Sequence, residues 1–335
     1  MEPELDAAVD AALDWLVAAQ APTGEMPAWA TSLEEAQPSW ARDSLQFITA
    51  LVALALDPVD DPRARRVVDG AVAFLRQERE VGDQWRYWSL ANPQHETTPP
   101  DADDTACASM AVACRGHGTE ANVRLLMANR DPRGRFYTWL VPRRRLLDPR
   151  VGWALRDERR VEVRLLRDHL WTTTEAEADD VDAVVNANVC RYLAADAPIE
   201  AVEWVVGVVE AGDETEDKWH RRPTTMWASV GDGARRGVRR FADLAPTVAT
   251  RARQRLDAQG TLGTALDTAL ALGALQAFSV ETTLRREMAE GLVATQCGDG
   301  SWARSIFYFG GPMEVFGWSS EALTTACAVG ALAAQ

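Results

Sequence analysis

Lysine is nearly absent from this chain: Lys218 is the single one among 35 lysine and arginine side chains. Codon bias alone produces such a pattern, so no arginine is singled out merely for not being lysine. Histidine is scarce too. His95, His117, His169 and His220 are scattered, and none pairs with a nearby cysteine at ligand spacing, so no zinc is expected. The five cysteines, Cys107, Cys114, Cys190, Cys297 and Cys327, are odd in number and contain no CxxC pair. That argues against a disulfide framework and for buried, reduced thiols. No apolar run is long enough to span a bilayer and no secretory signal is visible, so a cytoplasmic location is expected. Positive charge is in deficit: the net charge is −15, which argues against nucleic acid and anionic membrane as main partners.

What the chain does have is apolar mass and repetition. Its 335 residues are 47% hydrophobic, enough for a sizeable core. Six segments, beginning near Arg42, Asp103, Asp180, Pro223, Thr264 and Ser320, open on capping-type residues and then run small and apolar on most sides. Such helices are buried all round. Six more amphipathic stretches alternate with them, as in "ELDAAVDAALDWLVAAQ" and "VETTLRREMAEGLVATQ". Several end in glutamine, a glycine turn and a tryptophan: Gln20-Gly24-Trp29, Gln77-Gly82-Trp85 and Gln296-Gly300-Trp302. The repeat predicts an all-α fold, an (α/α)6 barrel of six inner and six outer helices, with residues 1–335 as one domain. The N-termini of the inner helices should share one rim. An arginine-dense insertion at about 140–171 interrupts the period. It reads either as an extra charged surface helix or as a cationic lip through Arg143, Arg144 and Arg145.

The segment "PPDADDTACASMAVA" crowds Asp101, Asp103 and Asp104 onto the start of the second inner helix. Helix capping explains such a cluster through the dipole and the unpaired N–H groups of the first turn. Capping is the stronger reading on spacing alone; the other is an acid aimed into the barrel mouth, because crowded carboxylates cannot all ionise and one keeps its proton.

"DADDTA" resembles the acid motif of class II terpene cyclases, the superfamily of squalene–hopene cyclases and copalyl diphosphate synthases. "QCGDGSW" at 296–302 is similar to their glutamine–tryptophan motif, and "FYFGG" followed by "SSEALTTACAVGAL" is similar to their C-terminal repeat. The resemblance implies cyclisation of a linear isoprenoid, such as farnesyl or geranylgeranyl diphosphate, begun by protonation. It implies that Asp103 is the proton donor, tuned by Asp101 and Asp104. It also implies that Asn188, in "NANV" on the next inner segment, contacts Asp103, with Asn186 as the second choice. Aromatic faces that could steer carbocations at the mouth are Trp227 and Phe309 first, then Trp318, Trp40, Phe307 and Tyr308. Arg221 and Arg222 would hold a diphosphate, and Mg²⁺ could bridge it. No protein-held metal site is expected, and no clear DDxxD motif for ionisation-type synthesis is present.

A single barrel would leave such a mouth open to water. Closure would come from the insertion, from a mouth-to-mouth homodimer, or from a second barrel subunit. Two other classes stay open. One is a non-catalytic isoprenoid-binding or partner-subunit barrel. The other is a glycosidase pairing Asp103 with Asp43 or Asp180, although its inner helices would be unusually apolar for a sugar site.

Overall fold

The computed structural model describes residues 2–35, 39–143, 149–280, 282–311 and 315–334. Six helices form the inner layer among them: α2 (Gln46–Leu56), α4 (Ala102–Ala113), α8 (Ala183–Leu193), α10 (Pro223–Arg235), α12 (Ala265–Ala277) and α14 (Glu321–Leu332). Each packs on the next, and α14 returns to α2, so the layer closes into a ring. Small side chains permit this. In α4 every residue from Ala102 to Val112 is buried. Outside lie α1 (Glu2–Ala19), α3 (Pro62–Gln77), α5 (Glu120–Ala128), α9 (Ile199–Ala211), α11 (Ala245–Arg255) and α13 (Thr282–Ala294). The insertion supplies α6 (Pro149–Gly152) and α7 (Val161–Thr173). Among the described residues no helix is long and apolar enough to cross a membrane.

The capping residues act as their types suggest. Asp61 accepts from the Arg63 amide ahead of Pro62. Thr264 and Ser320 accept from the amides of Asp267 and Leu323 at 3.1 Å each. A second device recurs around the ring. A backbone N–H in the turn before an inner helix donates to a side-chain oxygen near that helix's start. Met26 donates to Thr49 at 3.0 Å, Trp85 to Thr105 at 3.2 Å, Leu262 to Thr268 at 3.0 Å and Trp302 to Thr325 at 3.0 Å. In the third repeat Phe136 donates to Asn186 Oδ1 at 2.7 Å. Asn186 returns a bond to the Phe136 carbonyl at 2.9 Å. Asn186 is therefore a latch of the repeat and takes the place threonine holds elsewhere.

The glutamine turns are built alike. Gln20 Nε2 binds the carbonyls of Gly24 and Val67 at 3.0 and 2.8 Å, and Gln296 Nε2 those of Gly300 and Ala8 at 2.9 and 2.8 Å. Trp85 and Trp302 donate their indole N–H to the Leu75 and Leu292 carbonyls at 2.8 Å. In the first repeat the matching buried position is Met26 rather than Trp29, which lies in a strand.

That strand corrects the all-α expectation. β1 (Ala28–Ser32), β2 (Ala41–Asp43), β3 (Ile306–Gly310) and β4 (Phe316–Ser319) form an antiparallel sheet in the order β2-β1-β4-β3. Trp29 pairs with Ser319, and Tyr308 with Trp318. These segments are rich in aromatic and β-branched residues, which suit a pleated surface. β2 and β4 end immediately before α2 and α14, so the sheet stands on the rim where the inner helices begin.

Candidate active site

The acid cluster begins as a helix cap and lies buried at the rim of the ring. Asp101 is the N-cap of α4, with φ −126° and ψ 167°, and accepts from the Asp104 amide at 2.7 Å. Asp103 and Asp104 follow in the first turn, and all three carboxylates are buried. The turn is pinned on both sides: the Ala102 amide donates to the Thr138 carbonyl at 2.8 Å and the Leu140 amide to the Pro100 carbonyl at 2.8 Å.

Asp103 is engaged through both oxygens. Asn188 Nδ2, from α8, donates to Oδ1 at 2.7 Å, and His220 Nε2 lies 3.1 Å from Oδ2. Facing a carboxylate, Nε2 is the nitrogen on which a neutral ring keeps its proton. Asn188 is held in turn by Ser229 of α10, whose hydroxyl donates to Asn188 Oδ1 at 2.9 Å. His220 is placed by Asp217, whose Oδ1 accepts from the amides of His220 and Trp219 at 2.9 and 3.1 Å. Asp217 Oδ2 accepts from the Val184 amide at 2.9 Å, tying that loop to the start of α8.

Burial dominates the electrostatics. It pushes Asp101 up to about 6, with the Asp103 charge acting in the same direction and hydrogen bonds from the Asp104 residue opposing it. It drives Asp104 well above the usual carboxylate range, reinforced by the charges of Asp101 and Asp103. Both shifts favour retention of a proton within the cluster. Burial alone would lower His220, but its hydrogen bond to Asp103 and the charges of Asp103, Asp217 and Asp182 more than offset this and raise it. The Cys107 thiol, 4.0 Å from Asp103 Oδ1, is pushed far up by burial and by that carboxylate.

The three aspartates face a chamber whose walls include Phe47, Tyr87, Thr138, Trp139, Trp219, His220 and Tyr308, with a volume of about 10 Å³. That is room for about one water. Tyr308 is its stopper. Its ring stacks on Tyr87 (centroids 4.7 Å apart) and on Trp219 (5.9 Å, planes 6° apart), and meets His220 edge-on at 5.4 Å. Tyr87 Oη, Asp104 Oδ1 and His220 Nδ1 are buried without a hydrogen-bond partner among the described residues.

The other expected residues are distributed differently. Trp318 backs the chamber, with its ring against Tyr87 and Tyr308 at 5.6 and 5.7 Å and its N–H on Asp43 at 2.9 Å. Phe307 touches Phe47 at 6.1 Å. Trp227 is not in the chamber wall. Its indole donates to Glu214 at 2.9 Å and lies under Arg255, because the period of α10 turns Ser229 inward and Trp227 toward the outer layer. Phe309 also stands outside, with Arg221 stacked over it at 5.0 Å. Arg222 is committed to Asp267, the Ile306 carbonyl and Thr264. Trp40 lies beneath Arg304. Arg143 binds Asn129, the Trp139 carbonyl and the Ala178 carbonyl; Arg144 and Arg145 lie outside the described residues. The insertion is fastened beside the acid cluster by Glu158, which bridges Arg86 and Arg167 at 2.8 Å each, while Arg86 also binds the Thr98 carbonyl. Trp171 of α7 reaches Trp139 of the chamber wall at 5.7 Å.

Of the residues around the acid, His220, Ser229, Tyr87, Trp139 and Trp219 were not singled out as site residues by the sequence. His220 offered a faint signal, since it stands just before the fourth inner helix and therefore on the rim. No group of three or more His, Cys, Asp and Glu side chains among the described residues is arranged to hold a metal ion.

No family model matches the chain, and no curated protein matches it. Solved structures do. A protein from Actinoplanes aligns with TM-score 0.68 and 21% identity over 98% of this chain and 99% of its own. The type II terpene cyclase MstE from Scytonema aligns with TM-score 0.66 and 17% identity over 99% and 98%. The fold resembles that of a type II terpene cyclase. A variant of MstE in complex with its substrate, geranylgeranyl dihydroxybenzoate, aligns equally well, with TM-score 0.66 and 16% identity over 100% and 99%. The terpene-cyclase likeness thus spans nearly the whole of both chains, including the rim on which the acid cluster sits.

Proposed function

We propose that the protein is a protonation-initiated cyclase of a linear isoprenoid, with Asp103 as the acid. The observation that carries this reading is the engagement of Asp103. Its carboxyl sits at a buried helix N-terminus, with Asn188 and His220 donating to its two oxygens, in an aromatic chamber. An acid for alkene protonation needs a proton to give and a stable anion to leave behind. Burial and crowding keep a proton in the cluster; the two donors and the helix N-terminus receive the anion. Asp103 passes its proton to one alkene carbon, and the π electrons form the new C–H bond. The cation at the other carbon is attacked by the next double bond. The cascade ends when a carbon-bound proton is lost or a nucleophile adds. The chamber as it stands has room for about one water, so Tyr308 must swing aside to admit the chain; the faces of Trp219, Trp139 and Tyr87 then stabilise the cation without acting as strong bases.

The substrate is a chain of farnesyl or geranylgeranyl length. The head group is either a diphosphate, bringing Mg²⁺ with it, or an aryl group of the kind borne by the MstE substrate, a dihydroxybenzoate. The engagement of Arg222 by Asp267 favours the aryl group, since that guanidinium is not free to hold a diphosphate.

The test is incubation with farnesyl and geranylgeranyl diphosphates plus Mg²⁺ and, separately, with geranylgeranyl dihydroxybenzoate. Products are compared by mass spectrometry after phosphatase treatment, alongside Asp103→Asn. A cyclic isomer formed by wild type and absent with a folded Asp103→Asn is the expected result. Equal turnover by the variant would remove Asp103 from the chemistry. No conversion by either protein, with tight binding retained, would favour an isoprenoid-binding barrel without catalysis.

A further inference from the structure

An asparagine amide beside an acid can turn either end toward it, and the two ends do opposite things. The N–H end donates to the anion. The carbonyl end repels the anion and accepts only from the protonated acid. Whatever holds the other end of Asn188 therefore decides how Asn188 acts on Asp103.

That end is held by Ser229. Its hydroxyl donates to Asn188 Oδ1 at 2.9 Å, and Asn188 Nδ2 donates to Asp103 Oδ1 at 2.7 Å. The three residues come from three neighbouring inner helices, α10, α8 and α4, and all are buried. Ser229 lies across the amide from Asp103, in a position to sense its orientation without touching the acid. We propose that Ser229 is a positioning residue that locks the Asn188 amide with its N–H toward Asp103, and so sets the strength of the acid. This rests on the cyclase reading above.

In the locked arrangement every polar atom of the chain is paired. With the amide reversed, the Asn188 carbonyl would face the Asp103 carboxylate with no proton between them, and the Ser229 hydroxyl would have to give up donating to Oδ1 and accept from Nδ2 instead. A buried polar group left unpaired is costly, so the observed arrangement is the favoured one.

Ser229→Ala removes the lock and leaves a methyl group in its place in the buried site. Its expected signature has three parts. kcat falls about tenfold, the size of one neutral hydrogen bond acting on the transition state, with KM unchanged. Ser229→Thr, which keeps the hydroxyl, restores most of the loss. The double variant Ser229→Ala, Asn188→Ala is no slower than Asn188→Ala alone, because the serine acts only through the amide. A readout that needs no substrate accompanies these. With ¹⁵N-asparagine labelling, the Asn188 side-chain N–H pair, assigned by its loss in Asn188→Ala, shows one strongly downfield proton in wild type. That shift collapses in Ser229→Ala.

Additive losses in the double variant, or an unmoved Asn188 N–H signal in Ser229→Ala, would overturn the proposal even if Asp103→Asn is inactive. If Asp103→Asn is fully active while the N–H signal does shift, the lock stands as geometry and the assignment of Asp103 as the acid fails.

Discussion

Replacement of Asp182 by asparagine should stabilise the protein at alkaline pH and not in acid. Asp182 is the N-cap residue of α8, and its Oδ2 accepts from Thr138 Oγ1 and from Trp219 Nε1 at 2.5 and 3.0 Å. Burial, the Asp217 charge and the Asp180 charge push it up to about 7, against 3.8 for a free side chain. A carboxyl whose folded value lies above its unfolded one contributes fully to stability below about pH 4, and that contribution is lost as pH rises to about 7. The displacement of about three units corresponds to roughly 4 kcal/mol. Asparagine keeps an oxygen for both donors and never ionises, but its new N–H₂ needs acceptors, an offset of about 1–3 kcal/mol if none is found. The expected net gain at pH 8 is therefore about 1–3 kcal/mol, vanishing or reversing at pH 4. Urea unfolding of wild type and Asp182→Asn at the two pH values measures it. A variant equally destabilised at both pH values would show that the hydrogen-bonding roles of this carboxylate outweigh its charge, and would refute the reasoning.

Two further outcomes are expected. In Gly24→Ala the new Cβ would lie 2.0 Å from the Gly70 carbonyl oxygen at a φ of +91°, so the denaturation midpoint should fall by the equivalent of about 2–4 kcal/mol. A midpoint within error of wild type would show that the turn shifts freely. Among the thiols, exposed Cys297 should react with a small alkylating reagent in the native state, while Cys107, buried and raised beside Asp103, should react only on unfolding. Peptide mapping after timed labelling distinguishes them, and early modification of Cys107 would mean that the chamber opens readily.

The helical ring was legible because its signal is local. Small residues on most faces recur in the inner segments, with side-chain caps at the starts of α4, α12 and α14 and glycine turns after several outer helices, and each such signal predicts its own helix. Asp103 and its contact with Asn188 were readable through resemblance, because both lie in short distinctive segments of neighbouring inner helices. His220 was not, for it occupies a loop, and only ring closure brings it to an aspartate 117 residues earlier. The chamber's aromatics were read from nearness to the rim, and nearness does not say which way a side chain points. Trp227 shows this, since two residues along α10 separate an outward indole from Ser229 at the acid's amide. The sheet escaped because its strands are three to five residues long, and their alternation is meaningful only once the two ends of the chain meet.

That meeting has a consequence for how the molecule comes into being. The Ser320 hydroxyl reaches the Pro27 carbonyl across 293 residues, the Trp318 indole reaches Asp43 across 275, and Gln296 reaches Ala8 across 288. A chain still emerging from the ribosome can form its early helix pairs but cannot close the ring or seat Tyr308 over the acid. Contacts so distant in sequence form late and slowly. Until then the three aspartates lie open to water and ionise as ordinary surface acids. Asp101 and Asp104 would thus acquire their raised values only once the last forty or so residues close the ring over them.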